Sequence, residues 1–154
     1  MRDMRKTIWP AVLAALLLTG CAAREPDAEP AGPAQSYTQI TQEEAQARMA
    51  EDDGHLVVDV RRQDEFDAGH IPGAVCIPNE SIGAEPPAEL PDPDQILLIY
   101  CRSGNRSKQA AQKLTDLGYT RVYEFGGILD WTGSVITTEE ELALSSGTEG
   151  GKDT

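Results

Sequence analysis

The sequence predicts an α/β domain built on a mostly parallel β-sheet. Three observations carry that class. Leu56-Val57-Val58 with Val60, and Ile96-Leu97-Leu98-Ile99-Tyr100, are apolar runs without alternation, the pattern of strands buried on both faces. Helical patterns stand between the strand patterns, most clearly over Ser107-Lys108-Gln109-Ala110-Ala111-Gln112-Lys113-Leu114. No internal repeat or coiled-coil heptad competes with this alternation, and strands that alternate with helices build parallel sheets.

Taken in order, Tyr37-Thr38-Gln39-Ile40 reads as a short first strand. Thr41-Gln42-Glu43-Glu44 has the S/T-x-x-E form of a capping box, so a helix begins there and continues over Ala45 to Met49. His55 to Val60 supplies the second strand and Ala74-Val75-Cys76-Ile77 the third. Ile96 to Tyr100 is the fourth. The helix from Ser107 to about Leu117 comes next and is terminated by Gly118. Arg121-Val122-Tyr123 is the fifth strand.

Between the fourth strand and its helix lies Cys101-Arg102-Ser103-Gly104-Asn105-Arg106-Ser107. A thiol at a strand-to-helix turn meets backbone N–H groups and the positive end of the helix. Two arginines flank it. Such surroundings lower a cysteine pKa and supply a nucleophilic thiolate, so the residues point to sulfur chemistry. Ligands of parallel sheets bind at the carboxyl ends of the strands, where this loop falls.

The ends of the chain do not read as fold. Residues 1–20 have the form of a signal peptide: Arg2, Arg5 and Lys6, then an almost wholly apolar stretch from Ile8 to Leu18. That stretch is shorter than the roughly 20 residues a bilayer-spanning helix needs. Leu18-Thr19-Gly20-Cys21 resembles the lipobox of bacterial lipoproteins. The resemblance implies cleavage before Cys21, acylation of Cys21, and a lipid-anchored protein of the bacterial cell envelope facing the periplasm. Ala22, where an aspartate would signal inner-membrane retention, favours the outer membrane. Several acyl chains anchor firmly, so the expected membrane contact is through lipid only. Residues 21–35 are the lipidated cysteine and a linker rich in Ala, Pro and Glu. The globular domain is expected over 36–135. Residues 136–154 read as an acidic, unstructured tail that becomes Ser/Gly/Thr-rich from Ser145.

The formal net charge is −13, and loss of the leader with its arginines and lysine makes it more negative. Nucleic acid and anionic headgroups are therefore excluded as partners of the surface as a whole. The same field opposes an anionic substrate, so Arg102 and Arg106 must outweigh it locally. Two histidines and three cysteines are too few for a persuasive metal site.

Three segments resemble the rhodanese-like domain, in order and at suitable distances. Val58-Asp59-Val60-Arg61, Glu65-Phe66 and Gly69-His70-Ile71-Pro72-Gly73-Ala74 are similar to that family's amino-terminal signature. Leu98 to Ser107 resembles its active-site loop, and Val122 to Trp131 its closing motif. The resemblance spans about Ser36 to Trp131. It implies a five-stranded parallel sheet with helices on both faces, and sulfurtransferase activity without a cofactor. In that chemistry a small anion such as thiosulfate gives its outer sulfur to Cys101, and a thiol or cyanide acceptor removes it from the persulfide.

On this reading Cys101 is catalytic, and Arg102, Ser103, Gly104, Asn105, Arg106 and Ser107 form the substrate-binding loop. Gly104 permits the backbone turn that points successive N–H groups inward as an anion nest. Arg102 and Arg106 match the oxyanion of the donor, although Arg102 has solvation as its bland alternative. Arg106 in the first helical turn opposes the helix dipole, a cost that anion binding explains. Two roles stay open for the supporting residue Asp59: a hydrogen bond to the loop or Arg106, or a cap on the next turn. Arg61 is expected to form a structural ion pair with Glu65. His70 is expected to make turn hydrogen bonds, Gly126-Gly127 to form a tight turn before a short helix, and Trp131 to pack on the core. Cys76 is expected to be buried as a small hydrophobe, free of Cys101.

Two other functions are weighed. Cysteine-dependent phosphatases and arsenate reductases have a related loop with one more residue between cysteine and arginine. Here four separate Cys101 from Arg106, and Tyr100 precedes the cysteine instead of a histidine, so that chemistry is disfavoured. A membrane-tethered persulfide carrier or non-catalytic binding module is the alternative. The intact cysteine argues against a purely structural module, and turnover separates a carrier from an enzyme.

Overall fold

The apolar runs become the centre of the sheet. The computed structural model describes residues 36–146; the expected leader, the Cys21 lipidation site, the linker and residues 147–154 lie outside the described residues. The chain passes through β1 (Thr38–Gln39), α1 (Gln42–Met49), β2 (Leu56–Asp59), α2 (Gln63–Asp67), β3 (Val75–Cys76) and β4 (Ile96–Cys101). It continues through α3 (Asn105–Asp116), β5 (Arg121–Gly127), a 3-10 turn (Ile128–Asp130) and α4 (Thr138–Ser146). The five strands form one sheet in the order β1-β5-β4-β2-β3, and every pairing is parallel.

Alternation along β4 divides the core between the two faces. Leu97, Ile99 and Cys101 pack with Ala110, Ala111 and Leu114 of α3 and with Tyr119 and Val122. Leu98 and Tyr100 pack on the other face with Ala45 of α1, Phe66 of α2 and Phe125. Helices thus cover both faces, as the resemblance implies. Leu97, Leu98, Ile99 and Tyr100 are fully buried, and truncating such a side chain to alanine typically costs about 2–5 kcal/mol. Tyr100 also accepts the Ile71 N–H at 3.1 Å, so its hydroxyl is not left unpaired in the core.

The start of α1 obeys its capping box. Thr41 Oγ1 accepts the Glu44 N–H at 3.2 Å, and Glu44 Oε2 accepts the Thr41 N–H at 2.8 Å. Trp131 packs against Phe125, with ring centroids 5.6 Å apart.

Two expectations need correction. Ordered structure continues past 135, into residues expected to be an unstructured tail. His70 and Ile136 exchange backbone hydrogen bonds at 2.8 and 2.9 Å, and α4 stands where the composition predicts an unstructured tail. A second capping box starts that helix: Glu140 Oε2 accepts the Thr137 N–H, and Thr137 Oγ1 accepts the Glu140 N–H. Glu141 then ties α4 to the domain through His70 Nε2 at 3.1 Å and the Gly73 N–H at 3.3 Å. The acidic run Glu139-Glu140-Glu141 is the favourable first turn of a helix. The second correction concerns Gly126-Gly127, which continue β5 before the 3-10 turn instead of forming a tight turn.

Candidate active site

β4 delivers Cys101 to the carboxyl edge of the sheet, where the backbone must reverse into α3. Gly104 makes that reversal possible, because its φ of 94° lies in the left-handed region. Its N–H donates to Cys101 Sγ at 3.1 Å. Cys101 itself is 1 % exposed. Burial opposes ionisation and is the largest single influence on this thiol. The Ser107 hydroxyl and the N–H groups of Ser107, Ser103 and Gly104 together outweigh it and hold the pKa below the ordinary cysteine value.

The glycines at the end of β5 form the other wall of the loop. A Cβ at Gly127 would lie 2.2 Å from the Arg102 carbonyl oxygen and 2.6 Å from Ser103 Cα. Backbone therefore packs directly on backbone. The Leu129 N–H adds a hydrogen bond to the Arg102 carbonyl at 3.2 Å. The loop owes its shape to this support as well as to its own Gly104.

The arginines take unequal places. Arg106 donates to both oxygens of Glu65, at 2.7 and 3.0 Å. That pairing pulls the Glu65 carboxyl down to about 2, with Arg106 as the leading cause. Arg61 is buried and clasps Asp59, with Nε at 3.0 Å from each carboxylate oxygen and Nη2 at 2.6 Å, and also donates to the Gly69 carbonyl at 2.7 Å. The expected Arg61–Glu65 pair is therefore wrong. Arg61 folds back onto the nearer Asp59 two residues earlier, while Glu65, on α2, meets Arg106 on the first turn of α3. Asp59 takes the turn-capping role, since Oδ1 also accepts the Arg61 N–H at 2.9 Å.

A cavity of about 560 Å³ opens beside the loop, lined by Arg61, Arg62, Glu65, Arg102, Arg106 and Leu129 among others. Arg61, Arg62 and Arg106 each face a carboxylate. Arg102 is exposed and, among the described residues, has no carboxylate partner. Of the two loop arginines it is the one with its donors open to an incoming oxyanion. Ser103 and Asn105 are exposed, whereas Gly104 and Ser107 are buried. Ser107 thus lies under the thiol and does not face the cavity as a substrate-binding residue would: its Oγ is 3.5 Å from Cys101 Sγ and 2.6 Å from Glu124 Oε1.

Glu124 is the residue that sequence reasoning missed. Its signal is an acidic residue inside the otherwise apolar segment Val122-Tyr123-Glu124-Phe125, and it is 2 % exposed. His70 is buried, stacked on Phe66 with centroids 3.7 Å apart, and bonded to the Phe66 carbonyl at 2.9 Å. Cys76 is free and half-buried, with Sγ 3.7 Å from the Arg61 carbonyl, and burial pushes its thiol up to about 11. No cluster of three or more metal-ligating side chains occurs among the described residues.

Comparisons with known proteins agree with this geometry. The chain is 39% identical over 94 residues to a sulfurtransferase of Allochromatium vinosum, covering 60% of this chain and 86% of that protein. It is 33% identical over 73 residues to the thiosulfate sulfurtransferase PspE of Escherichia coli, covering 47% of this chain and 70% of the relative. The solved structure of a rhodanese-like domain protein from Staphylococcus aureus superimposes with a TM-score of 0.57 at 29% identity, over 66% of this chain and 98% of the other. The profile of the rhodanese-like domain matches residues 41–134, from the N-cap of α1 past the closing glycines and the 3-10 turn. With the parallel sheet, the cysteine at the end of β4 and named sulfurtransferases among its relatives, the chain belongs to the rhodanese-like domain family, whose chemistry is sulfur transfer.

Proposed function

We propose that the protein takes sulfane sulfur from a small oxyanionic donor such as thiosulfate, holds it as a Cys101 persulfide, and passes it to a thiol or to cyanide. The observation that carries this reading is the placing of the Gly104 N–H at 3.1 Å and the Ser107 hydroxyl at 3.5 Å from one buried sulfur atom, in a loop whose hydrogen bonds lower its pKa. Those donors favour a thiolate before the reaction and the terminal sulfur of a persulfide after it.

In the first step the thiolate attacks the outer sulfur of thiosulfate. A Cys101 S–S bond forms, the donor's S–S bond breaks, and sulfite leaves with the bonding electron pair. Arg102 orients the sulfonate oxygens and offsets the charge of the leaving sulfite. In the second step the acceptor's thiolate or cyanide takes the outer sulfur, and Cys101 departs as a thiolate again. No external base is needed while the thiol stays ionised.

Two half-reactions on one thiol require ping-pong kinetics. With thiosulfate and cyanide varied together, double-reciprocal plots are expected to be parallel, and intersecting lines would contradict the covalent route. A persulfide carrier would instead load once and release slowly without a partner.

The same reading places the domain at the cell envelope, lipid-anchored through Cys21 and facing the periplasm, with membrane contact through lipid alone. The short apolar stretch and Leu18-Thr19-Gly20-Cys21 support it. Cys21→Ser is expected to move the protein from the membrane fraction to the soluble fraction; a variant that stays fully membrane-bound contradicts the anchor.

A further inference from the structure

Thiosulfate, sulfite and cyanide have no carbon–hydrogen surface, yet the cavity beside the Cys101 loop carries apolar side chains. Ala68, Ile128 and Leu129 line it alongside Arg102 and Arg106 of the loop. Its volume of about 560 Å³ falls in the range of about 300–1,000 Å³ that holds organic ligands. These inorganic ions fill only a small part of it.

Leu129 is 65 % exposed. A single exposed leucine is ordinary on a protein surface, and Leu142 of α4 is just as open at 63 %. Place sets Leu129 apart. Of the exposed large apolar side chains among the described residues, Leu129, Val135, Leu142 and Leu144, it alone lines the cavity beside the loop. Its backbone is fixed there. The Leu129 N–H donates to the Arg102 carbonyl at 3.2 Å, and the Trp131 N–H closes the 3-10 turn on the Ile128 carbonyl at 3.2 Å. Trp131 in turn packs on Phe125 of the core. These backbone bonds hold the side chain in the open at a set place relative to the residue after Cys101. They would serve a polar side chain equally well, and the next residue of the turn, Asp130, is polar and exposed. The fold alone therefore gives no reason for a leucine at this position.

The order of the two half-reactions gives one. Arg102 meets the donor's oxyanion, and sulfite has left before the acceptor enters. The acceptor then has the whole cavity to itself. Cys101, which bears the sulfur to be removed, is 1 % exposed, so the attacking thiolate has to come in on a slim arm. An unbranched carbon chain is such an arm. Its methylenes gain free energy by leaving water for Leu129, Ile128 and Ala68.

We propose that Leu129, with Ile128 and Ala68 beside it, is a specificity-determining residue that selects as sulfur acceptor a small organic thiol with an unbranched apolar arm. The acceptor's thiolate attacks the outer sulfur of the Cys101 persulfide. The S–S bond of an organic persulfide forms, the S–S bond to Cys101 breaks, and its electron pair returns to Cys101 as the thiolate. Leu129 takes no part in those bonds. It holds the arm that brings the thiolate into line, whereas cyanide makes the same attack without that contact.

The inference rests on the proposed persulfide route, and its test isolates the second half-reaction. The full chain is loaded with sulfur, freed of donor and discharged into straight-chain mercaptoalkanols with butyl, hexyl or octyl arms, neutral thiols that ionise alike. Discharge from Cys101 is taken as the difference from the Cys101→Ser chain. The rate per thiolate is read as a ratio to the cyanide rate of the same protein, which cancels any general change in reactivity. That ratio is expected to rise about twofold per added methylene, half the free energy of full burial because one side of the arm faces solvent. Leu129→Ser is expected to lose most of the gradient, and Leu129→Met to keep it. Leu142→Ser, which removes an equally exposed leucine from α4, is expected to keep it as well. A ratio independent of chain length in the unsubstituted protein overturns the proposal. A gradient retained in Leu129→Ser, or lost equally in Leu142→Ser, also overturns it. Failure to take sulfur from thiosulfate would count against the proposed donor alone; the chain is then loaded from inorganic polysulfide, and the same ratios decide.

Discussion

Cys76 and Cys101 each close a strand of the same parallel sheet, yet their thiols are driven in opposite directions. Cys76 ends β3, half-buried, with its sulfur facing a carbonyl oxygen. Burial raises it to about 11, and the nearby carboxylates of Asp59 and Asp67 add to the rise. Cys101 ends β4 and is more deeply buried, but its sulfur faces N–H donors and its pKa falls. Burial alone therefore cannot explain reactivity in this fold. What surrounds the sulfur decides it: a loop that turns its N–H groups inward outweighs burial at Cys101, whereas burial and the carboxylates of Asp59 and Asp67 keep the Cys76 thiol protonated.

The largest way to break that contrast is to displace the loop while leaving every charged residue in place. Gly127→Ala introduces a Cβ that would sit 2.2 Å from the Arg102 carbonyl, so backbone has to move. Misplacement of a reacting group by about 1 Å can cost about a hundredfold in rate. Steady-state kinetics are expected to show a fall of that order, with the Cys101 pKa rising toward that of an ordinary thiol. A fully active Gly127→Ala protein would show that the N–H cradle does not depend on this wall.

A smaller effect belongs to the open cation. Arg102→Ala is expected to raise the KM for thiosulfate about tenfold, the loss of one charge-assisted contact. The kcat for a charge-free donor should change little. Because the chain is acidic overall, the defect is expected to shrink at higher salt. A KM unchanged at low salt would assign the oxyanion contact elsewhere.

The smallest effect concerns Glu65, which holds Arg106 beside Cys101 and also contributes to the rise at Cys76. Its folded-state carboxyl lies at about 2 against an ordinary 4.5. A depressed carboxyl stabilises the fold above its unfolded value and loses that contribution as pH falls toward the folded one. The pair is partly open to solvent, so its worth is on the order of 1 kcal/mol. Thermal unfolding of the unsubstituted chain and Glu65→Gln is expected to differ by that amount above about pH 5 and to converge near pH 2. A difference constant across that range would contradict the pairing.

Much of the fold and of the loop is legible in the sequence because it is local. Apolar runs mark β2 and β4, Thr41 and Glu44 mark the start of α1, and the loop announces a thiol between a strand and a helix. The illegible part depends on residues distant in the chain. Glu65 chooses Arg106, 41 residues away, over Arg61, which Asp59 has already taken. α4 carries a readable capping box at Thr137, but its attachment needs His70 and Gly73, and its exposed Leu142 and Leu144 give no amphipathic stripe. Glu124 looks like an ordinary charge in a strand until the fold places Ser107 between it and Cys101.

Intact mass of the full chain after thiosulfate, and again after cyanide, tests the central claim most directly. The account predicts the gain of one sulfur atom on the unsubstituted protein and on Cys76→Ser, none on Cys101→Ser, and its removal by cyanide. Sulfur loaded equally on Cys101→Ser, or no sulfur gained by the fully reduced unsubstituted protein, would contradict persulfide formation at Cys101 from thiosulfate.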